Sequence, residues 1–180
     1  LLNDVRMAAL GELVFGYGSD GSGPMQGAMV FYALGTGIGG GLAIDGRLYL
    51  GPFGASAEVG HMTVVPDGPA CSCGSRGCLE IYAAGPAITG QGVRLLLAGQ
   101  TTCLYDLVEG RPERVNPAVM ARAAALGDER VRAVLVQAAE YLGISVANAI
   151  LMVHPRLVVL GGSVAEIGPL LFETVRAAVA

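Results

Sequence analysis

Apolar residues near the start of the chain recur at Val5, Ala8, Ala9 and Leu13, a helical period that follows Asn3-Asp4. Either Asn3 or Asp4 suits the N-cap, and a capping aspartate is the simplest account of Asp4 taken alone. The Gly/Ser-rich stretch 16–26 reads as a surface loop. G-A-M-V-F-Y-A-L at 27–34 predicts a buried strand. G-T-G-I-G-G-G at 35–41 predicts a tight glycine turn, followed by a second strand at 42–44, a hairpin turn at Asp45-Gly46 and a returning strand at 47–50. Segment 51–65 places Glu58 and His61 around Gly60, at a loop-to-strand junction. A helix starts at 78–82, Gly85-Pro86 breaks it, and helix resumes over 87–97. Residues 99–116 are irregular, with a short helix near Leu104, and Pro117 suits the first position of a helix reaching Ala125. A long helix covers 128–153, with Val131, Val134, Leu135, Ala138, Leu142 and Val146 on one face, and Pro155 ends it. R-L-V-V-L at 156–160 predicts a buried strand that runs into Gly161-Gly162-Ser163, with helix again from Gly168. This order of strands and helices is an α/β pattern.

Composition narrows the function classes. With 180 residues, 53% hydrophobic and 14% charged, the chain can bury one substantial core. The net charge of −4 and the lack of a basic cluster argue against nucleic-acid binding by this segment. Asn3-Asp4 directly after Leu1-Leu2 is not a secretory signal. The most apolar run, 142–153, is too short to span a bilayer and reads as a buried helix, so no membrane partner is expected. The 28 glycines are clustered, which points to loops that approach phosphate or sugar closely. There is no initiator methionine, and the sequence stops inside an apparent helix at 172–180, so a piece of a longer protein is expected.

The densest chemistry lies between His61 and Glu80. His61, Cys71, Cys73 and Cys78 make a complete tetrahedral donor set for structural zinc, and Gly74 and Gly77 allow the loop to turn sharply. Disulfides or free buried thiols are the alternatives. Three clustered cysteines leave one unpaired unless Cys103 takes it, and C-x-C is poorly placed for a local bridge. A closed zinc shell would hold the loop and fix the His61 tautomer, leaving the second ring nitrogen for a ligand. Clustered thiols fit a reducing cytoplasm. Glu58 and Glu80 flank this block; a solvated Glu58 is the plain alternative, yet Ala57, Val59 and Gly60 around it are small or apolar. A strand, a glycine turn and a second strand can aim backbone N–H groups at a phosphate, although a tightly packed glycine hairpin gives the same pattern. The turn is neither a Walker A loop nor a dinucleotide fingerprint, because Gly-Lys-Ser/Thr is missing and no helix follows. Gly161-Gly162 at a helix entrance is a second place for close nucleotide approach.

Four stretches carry a resemblance: Asn3-Asp4, the run at 35–41, E-V-G-H at 58–61 with C-x-C-G-x-x-G-C-L-E at 71–80, and V-V-L-G-G-S at 158–163. Their order and spacing across residues 1–180 resemble the ROK family of repressors, uncharacterised frames and sugar kinases. That family lies within the actin/hexokinase/Hsp70-like ATPases, with a ribonuclease H-like fold. The resemblance implies the C-terminal lobe of that fold, carrying an inserted zinc-binding loop at 61–80. It implies that Asp4 is the catalytic base on a sugar hydroxyl, and that Asn3, Glu58, His61 and Glu80 bind the sugar. It implies that His61, Cys71, Cys73 and Cys78 hold zinc. Gly35, Thr36 and Gly37 then form the second phosphate-binding segment, and Gly161 and Gly162 lie near the adenosine of ATP. Mg²⁺, a hexose substrate, a cytoplasmic setting and a homodimer packed through the long helix follow from the same resemblance. Glucose is the first choice of sugar, with N-acetylhexosamine or mannose next, and some members of the family accept polyphosphate. The family's first phosphate motif and the N-terminal lobe carrying it are absent, so this piece alone is not expected to be a competent kinase. Val5 stands where the family usually has alanine. The alternative implied is a sugar-sensing repressor that uses the same pocket without catalysis; Asp4 and the intact glycine turn favour the kinase.

Overall fold

β1 (Ala28–Leu34) lies inside a four-stranded sheet of order β3-β2-β1-β4. The computed structural model describes residues 3–19, 21, 23–101 and 103–180. Leu1-Leu2, on which the absence of a secretory signal was read, lies outside the described residues, as do Asp20 and Ser22 of the Gly/Ser loop and Thr102. Side chains of β1 alternate between two cores, as the strand period requires. Met29 and Phe31 pack with Ala43, Val159 and the α1 (Asp4–Phe15) residues Ala9 and Leu13. Val30, Tyr32 and Leu34 join the larger core on the opposite face. Burial on both faces explains why the strand reads as one continuous apolar run.

β2 (Ile38–Ile44) pairs antiparallel with β1, from Leu34↔Ile38 to Ala28↔Ile44. The glycine turn is therefore only Gly35-Thr36-Gly37, and the expected turn over 35–41 is corrected: Gly39, Gly40 and Gly41 are strand residues. Packing is the reason. A Cβ at Gly39 would lie 2.9 Å from Val5 Cγ2, one at Gly41 would overlap the Ala9 side chain, and one at Gly40 would meet the Ala57 carbonyl. The glycines let α1 lie directly on the sheet. Gly41→Ala is expected to destabilise the fold by about 1–3 kcal/mol through overpacking. The check is a lower urea midpoint with an unchanged m-value.

Asp45 (φ 47°) and Gly46 (φ 74°) form the expected hairpin turn with both φ positive. β3 (Arg47–Leu48) is shorter than the expected 47–50. β4 (Leu157–Gly161) runs parallel to β1, from Met29↔Leu157 to Ala33↔Gly161.

The connection between them is helical: α2 (Leu79–Ala83), α3 (Gly85–Leu97), α4 (Cys103–Val108), α5 (Pro117–Ala125) and α6 (Glu129–Val153), with α7 (Pro169–Val179) after β4. Gly85-Pro86 opens α3 instead of breaking a helix; the chain turns one residue earlier, at Ala84 (ψ 155°), and proline is tolerated in a first turn. Asn3, not Asp4, caps α1, its Oδ1 accepting from Arg6 N–H at 2.9 Å. Asn116 and Asp128 cap α5 and α6 in the same way. Along α1, Ala9 and Leu13 are buried and Val5 is half-buried, whereas Ala8 faces solvent.

α6 buries Val131, Leu135, Ala138, Leu142 and Val146, and Val134 only in part. At 25 residues it is long and apolar enough, by length and composition alone, to cross a membrane, which the run at 142–153 is not. Here one face is covered by α2, α3, α5 and α7, with Gly143 letting α7 approach at Ala178, while Ile144, Leu151 and Met152 stay exposed.

Candidate functional site

Because β1 and β4 are parallel neighbours, Leu34 and Gly161 end on the same edge of the sheet. The crevice outside such carboxyl ends is where open α/β sheets place ligands. A cleft of about 410 Å³ lies there, lined by residues 33–39 with Asp4, Val5, Glu58, His61, Glu80 and Gly162. α1 supplies Asp4 from its first turn. A single 3₁₀ turn, Val59–His61, supplies His61 and carries Glu58 at its N-cap. α2 supplies Glu80.

The 3₁₀ turn replaces the loop-to-strand junction expected around Gly60. Gly60 lies against the Ile38 carbonyl, where any Cβ would overlap, so the chain coils tightly on β2 instead of extending beside it. Gly162 adopts φ 92° and lies so close to Leu34 that a Cβ would sit 2.5 Å from its carbonyl oxygen, so only glycine fits. Two expected site residues are not brought to the cleft. Asn3 uses its side-chain oxygen as the α1 cap, and Gly161 packs against the Phe31 ring.

The charged groups have distinct anchors. Asp4 is exposed and its Oδ1 accepts from Val5 N–H at 2.9 Å. Glu58 Oε1 is paired with Arg6 Nη2 at 3.3 Å, and the same nitrogen donates to the Ser56 carbonyl at 3.4 Å. Arg6 was missed in the sequence, where it reads as an ordinary helix residue; its place two positions after Asp4 was the available signal. Glu80 Oε2 accepts from Ile38 N–H at 2.8 Å. Within the turn, Gly35 N–H donates to the Gly37 carbonyl at 3.0 Å. Thr36 and Gly37 are exposed, and their N–H groups have no partner among the described residues. Two backbone donors beside a glycine turn suit an anion.

At the rim of this cleft the ligand atoms of His61, Cys71, Cys73 and Cys78 all lie within 4.8 Å of one another. Cys71 Sγ and His61 Nδ1 are 3.7 Å apart, as are Cys73 Sγ and Cys78 Sγ. A tetrahedron with metal–sulfur bonds of about 2.3 Å has edges of about 3.8 Å. A disulfide would bring two sulfurs to about 2.05 Å. The cysteines are all free thiols, and Cys103 sits elsewhere, its thiol directed at the Leu126 carbonyl. The donor set fits zinc.

The loop closes as a small hairpin through the bridges Thr63↔Cys78 and Ala70↔Arg76, with Gly77 pressed against the Val65 carbonyl. The Cys73 backbone N–H holds the Cys71 thiol down, to about 6, whereas burial pushes Cys78 up, to about 12. Cys71 thus offers a thiolate at neutral pH, and Cys78 must give up a proton to ligate. With Nδ1 on the sulfur side, His61 keeps Nε2 for the cleft.

The sequence profile of the ROK family matches residues 1–180. The chain belongs to the ROK family. A glucokinase from Thermotoga maritima is 36% identical over 180 residues, covering 98% of this chain and 54% of that protein. A xylose repressor from Caldicellulosiruptor bescii is 32% identical over 174 residues, covering 97% of this chain and 42% of the repressor. Among solved structures, the ROK family glucokinase of Streptomyces griseus in complex with glucose and AMPPNP superposes with a TM-score of 0.87 at 33% identity, over 99% of this chain and 56% of that one. The chain spans about half the length of the curated relatives it matches. Its fold is that of ROK sugar kinases, and kinases and repressors both occur among its relatives.

Proposed function

We propose that this ROK family chain is the sugar-binding and C-terminal portion of an ATP-dependent hexose kinase with glucose as first substrate, built on the actin/hexokinase-like, ribonuclease H-like plan. One observation carries the reading: Asp4, Glu58, His61 and Glu80 converge on a single cleft with the exposed backbone donors of the Gly35–Gly37 turn.

A neutral sugar presents hydroxyls that both donate and accept. The Glu58 and Glu80 carboxylates and the imidazole of His61 match such groups. Asp4 takes the proton of the attacking hydroxyl as its oxygen bonds to the γ-phosphorus of ATP and the bond from that phosphorus to the bridging oxygen breaks, releasing ADP. The backbone donors of Thr36 and Gly37 hold phosphate oxygens, with Gly162 beside them. Zinc, when bound, fixes the His61 tautomer; Mg²⁺, when bound, neutralises phosphate charge. The proposal includes a cytoplasmic homodimer. The T. maritima glucokinase and the glucose- and AMPPNP-bound S. griseus enzyme support the kinase reading. The second reading, a sugar-sensing repressor, is supported by the C. bescii xylose repressor, and the presence of Asp4 favours the kinase.

Arg6→Ala frees the half-exposed Glu58 carboxylate. Removing a pair of this exposure is worth about 1 kcal/mol or less, so the sugar KM is expected to rise by up to about fivefold with kcat preserved. Steady-state kinetics of the full-length variant check this. The function itself is tested by phosphorus NMR of the full-length protein with ATP, Mg²⁺ and glucose. A new sugar phosphomonoester resonance is expected. Its absence with every hexose tried, while calorimetry still records sugar binding, would transfer the assignment to the repressor.

A further inference from the structure

Glu80 occupies an unusual position between three parts of the site. α2 is five residues long, and its N-cap is Cys78, one of the clustered thiols. Leu79 N–H donates to the Met62 carbonyl at 2.9 Å, next to His61. At the other end, Gly85 N–H donates to the Gly35 carbonyl at 2.8 Å. The short helix therefore bridges the thiol cluster and the glycine turn. Glu80 reinforces the bridge from the middle: its Oε2 accepts from Ile38 N–H at 2.8 Å, and a Cβ on Gly37 would lie 2.6 Å from that oxygen. The other carboxylate oxygen, Oε1, has no partner among the described residues, and Glu80 is half-buried in the wall of the cleft.

We infer that Glu80 is a positioning residue that couples sugar binding to nucleotide binding, with Oε1 on the sugar and Oε2 on the turn. This rests on the kinase reading above. One rigid carboxylate cannot move one oxygen without the other. A hydroxyl bound at Oε1 holds the Oε2 contact in place, and with it Ile38 N–H and the adjoining Thr36 and Gly37 donors. A sugar then orders the phosphate-binding turn before the nucleotide arrives, and the nucleotide orders Glu80 for the sugar. The coupling is reciprocal by thermodynamic necessity.

The test is calorimetry of AMPPNP with Mg²⁺ binding to the full-length, zinc-loaded protein, with and without saturating glucose. Glucose is expected to tighten AMPPNP by about fivefold or more in the wild type. In Glu80→Ala the ratio of the two dissociation constants falls to about one. In Glu80→Gln the amide oxygen can still accept from Ile38 N–H, and most of the coupling is retained. Glu80→Asp, which is too short to reach both partners, serves if the alanine variant does not fold. A residue that only stabilised the fold would shift both dissociation constants together and leave their ratio intact. Equal ratios in wild type, Glu80→Gln and the shortened variants, or no coupling in the wild type, would overturn the inference while sugar and nucleotide still bind. Failure of both ligands to bind the wild type would instead overturn the kinase reading.

Discussion

Asp4→Ala in the full-length protein is expected to lower kcat by about 10²–10⁴-fold, the usual contribution of a general base. The sugar dissociation constant should stay close to the wild-type value. Three features separate this from a structural effect. Asp4 is exposed, so its removal opens no core cavity. Asn3 caps α1, so the helix start survives. The packing of α1 on the sheet runs through Val5, Ala9 and Leu13, none of which changes. Asp4→Asn keeps an oxygen for Val5 N–H but cannot take a proton, and should lose turnover as severely. Turnover near the wild-type rate in both variants would make Asp4 an ordinary first-turn residue and remove the general-base role from it.

The second large effect concerns the metal centre. Cys78→Ser is expected to reduce bound zinc from about one equivalent to almost none, because a hydroxyl does not replace a thiolate ligand. Sugar affinity should fall on the order of tenfold, as when the surroundings of a metal ligand are disturbed. Cys78 is fully buried, begins α2 and stands two residues before Glu80, so its loss reaches both His61 and Glu80. Elemental analysis and glucose calorimetry measure the two effects. Zinc lost with glucose affinity unchanged would separate metal and sugar sites. Acid should mimic the substitution: Cys78 is held well above its ordinary value, so ligation releases its proton, and falling pH drives the exchange back and expels zinc.

Helix positions were legible because the signals are local. Asn3 was one of two caps offered for α1 and Pro117 opens α5 as read, while the caps Asn116 and Asp128 were not singled out. The thiol cluster was legible because its ligands lie within eighteen residues of sequence, 61–78, and glycine punctuates the loop. The glycines at 39–41 misled because a turn and a closely overlaid strand call for the same residue, and only the position of Val5 and Ala9 distinguishes them. Contacts far apart in sequence were out of reach. Arg6 meets Glu58 across 52 positions, Ile38 meets Glu80 across 42, and the buried Tyr32 hydroxyl meets Ser145 across 113. No local pattern encodes such pairings.

The central claim is that the cleft phosphorylates a hexose. The most direct measurement is the initial rate of sugar-dependent ADP release by the full-length, zinc-loaded protein with Mg²⁺-ATP, over glucose, mannose, N-acetylglucosamine and N-acetylmannosamine. The account predicts saturable ADP release with at least one of these, glucose first. No release with any of them, together with sugar-dependent binding of the full-length protein to DNA, would contradict the kinase and assign the cleft to sugar sensing.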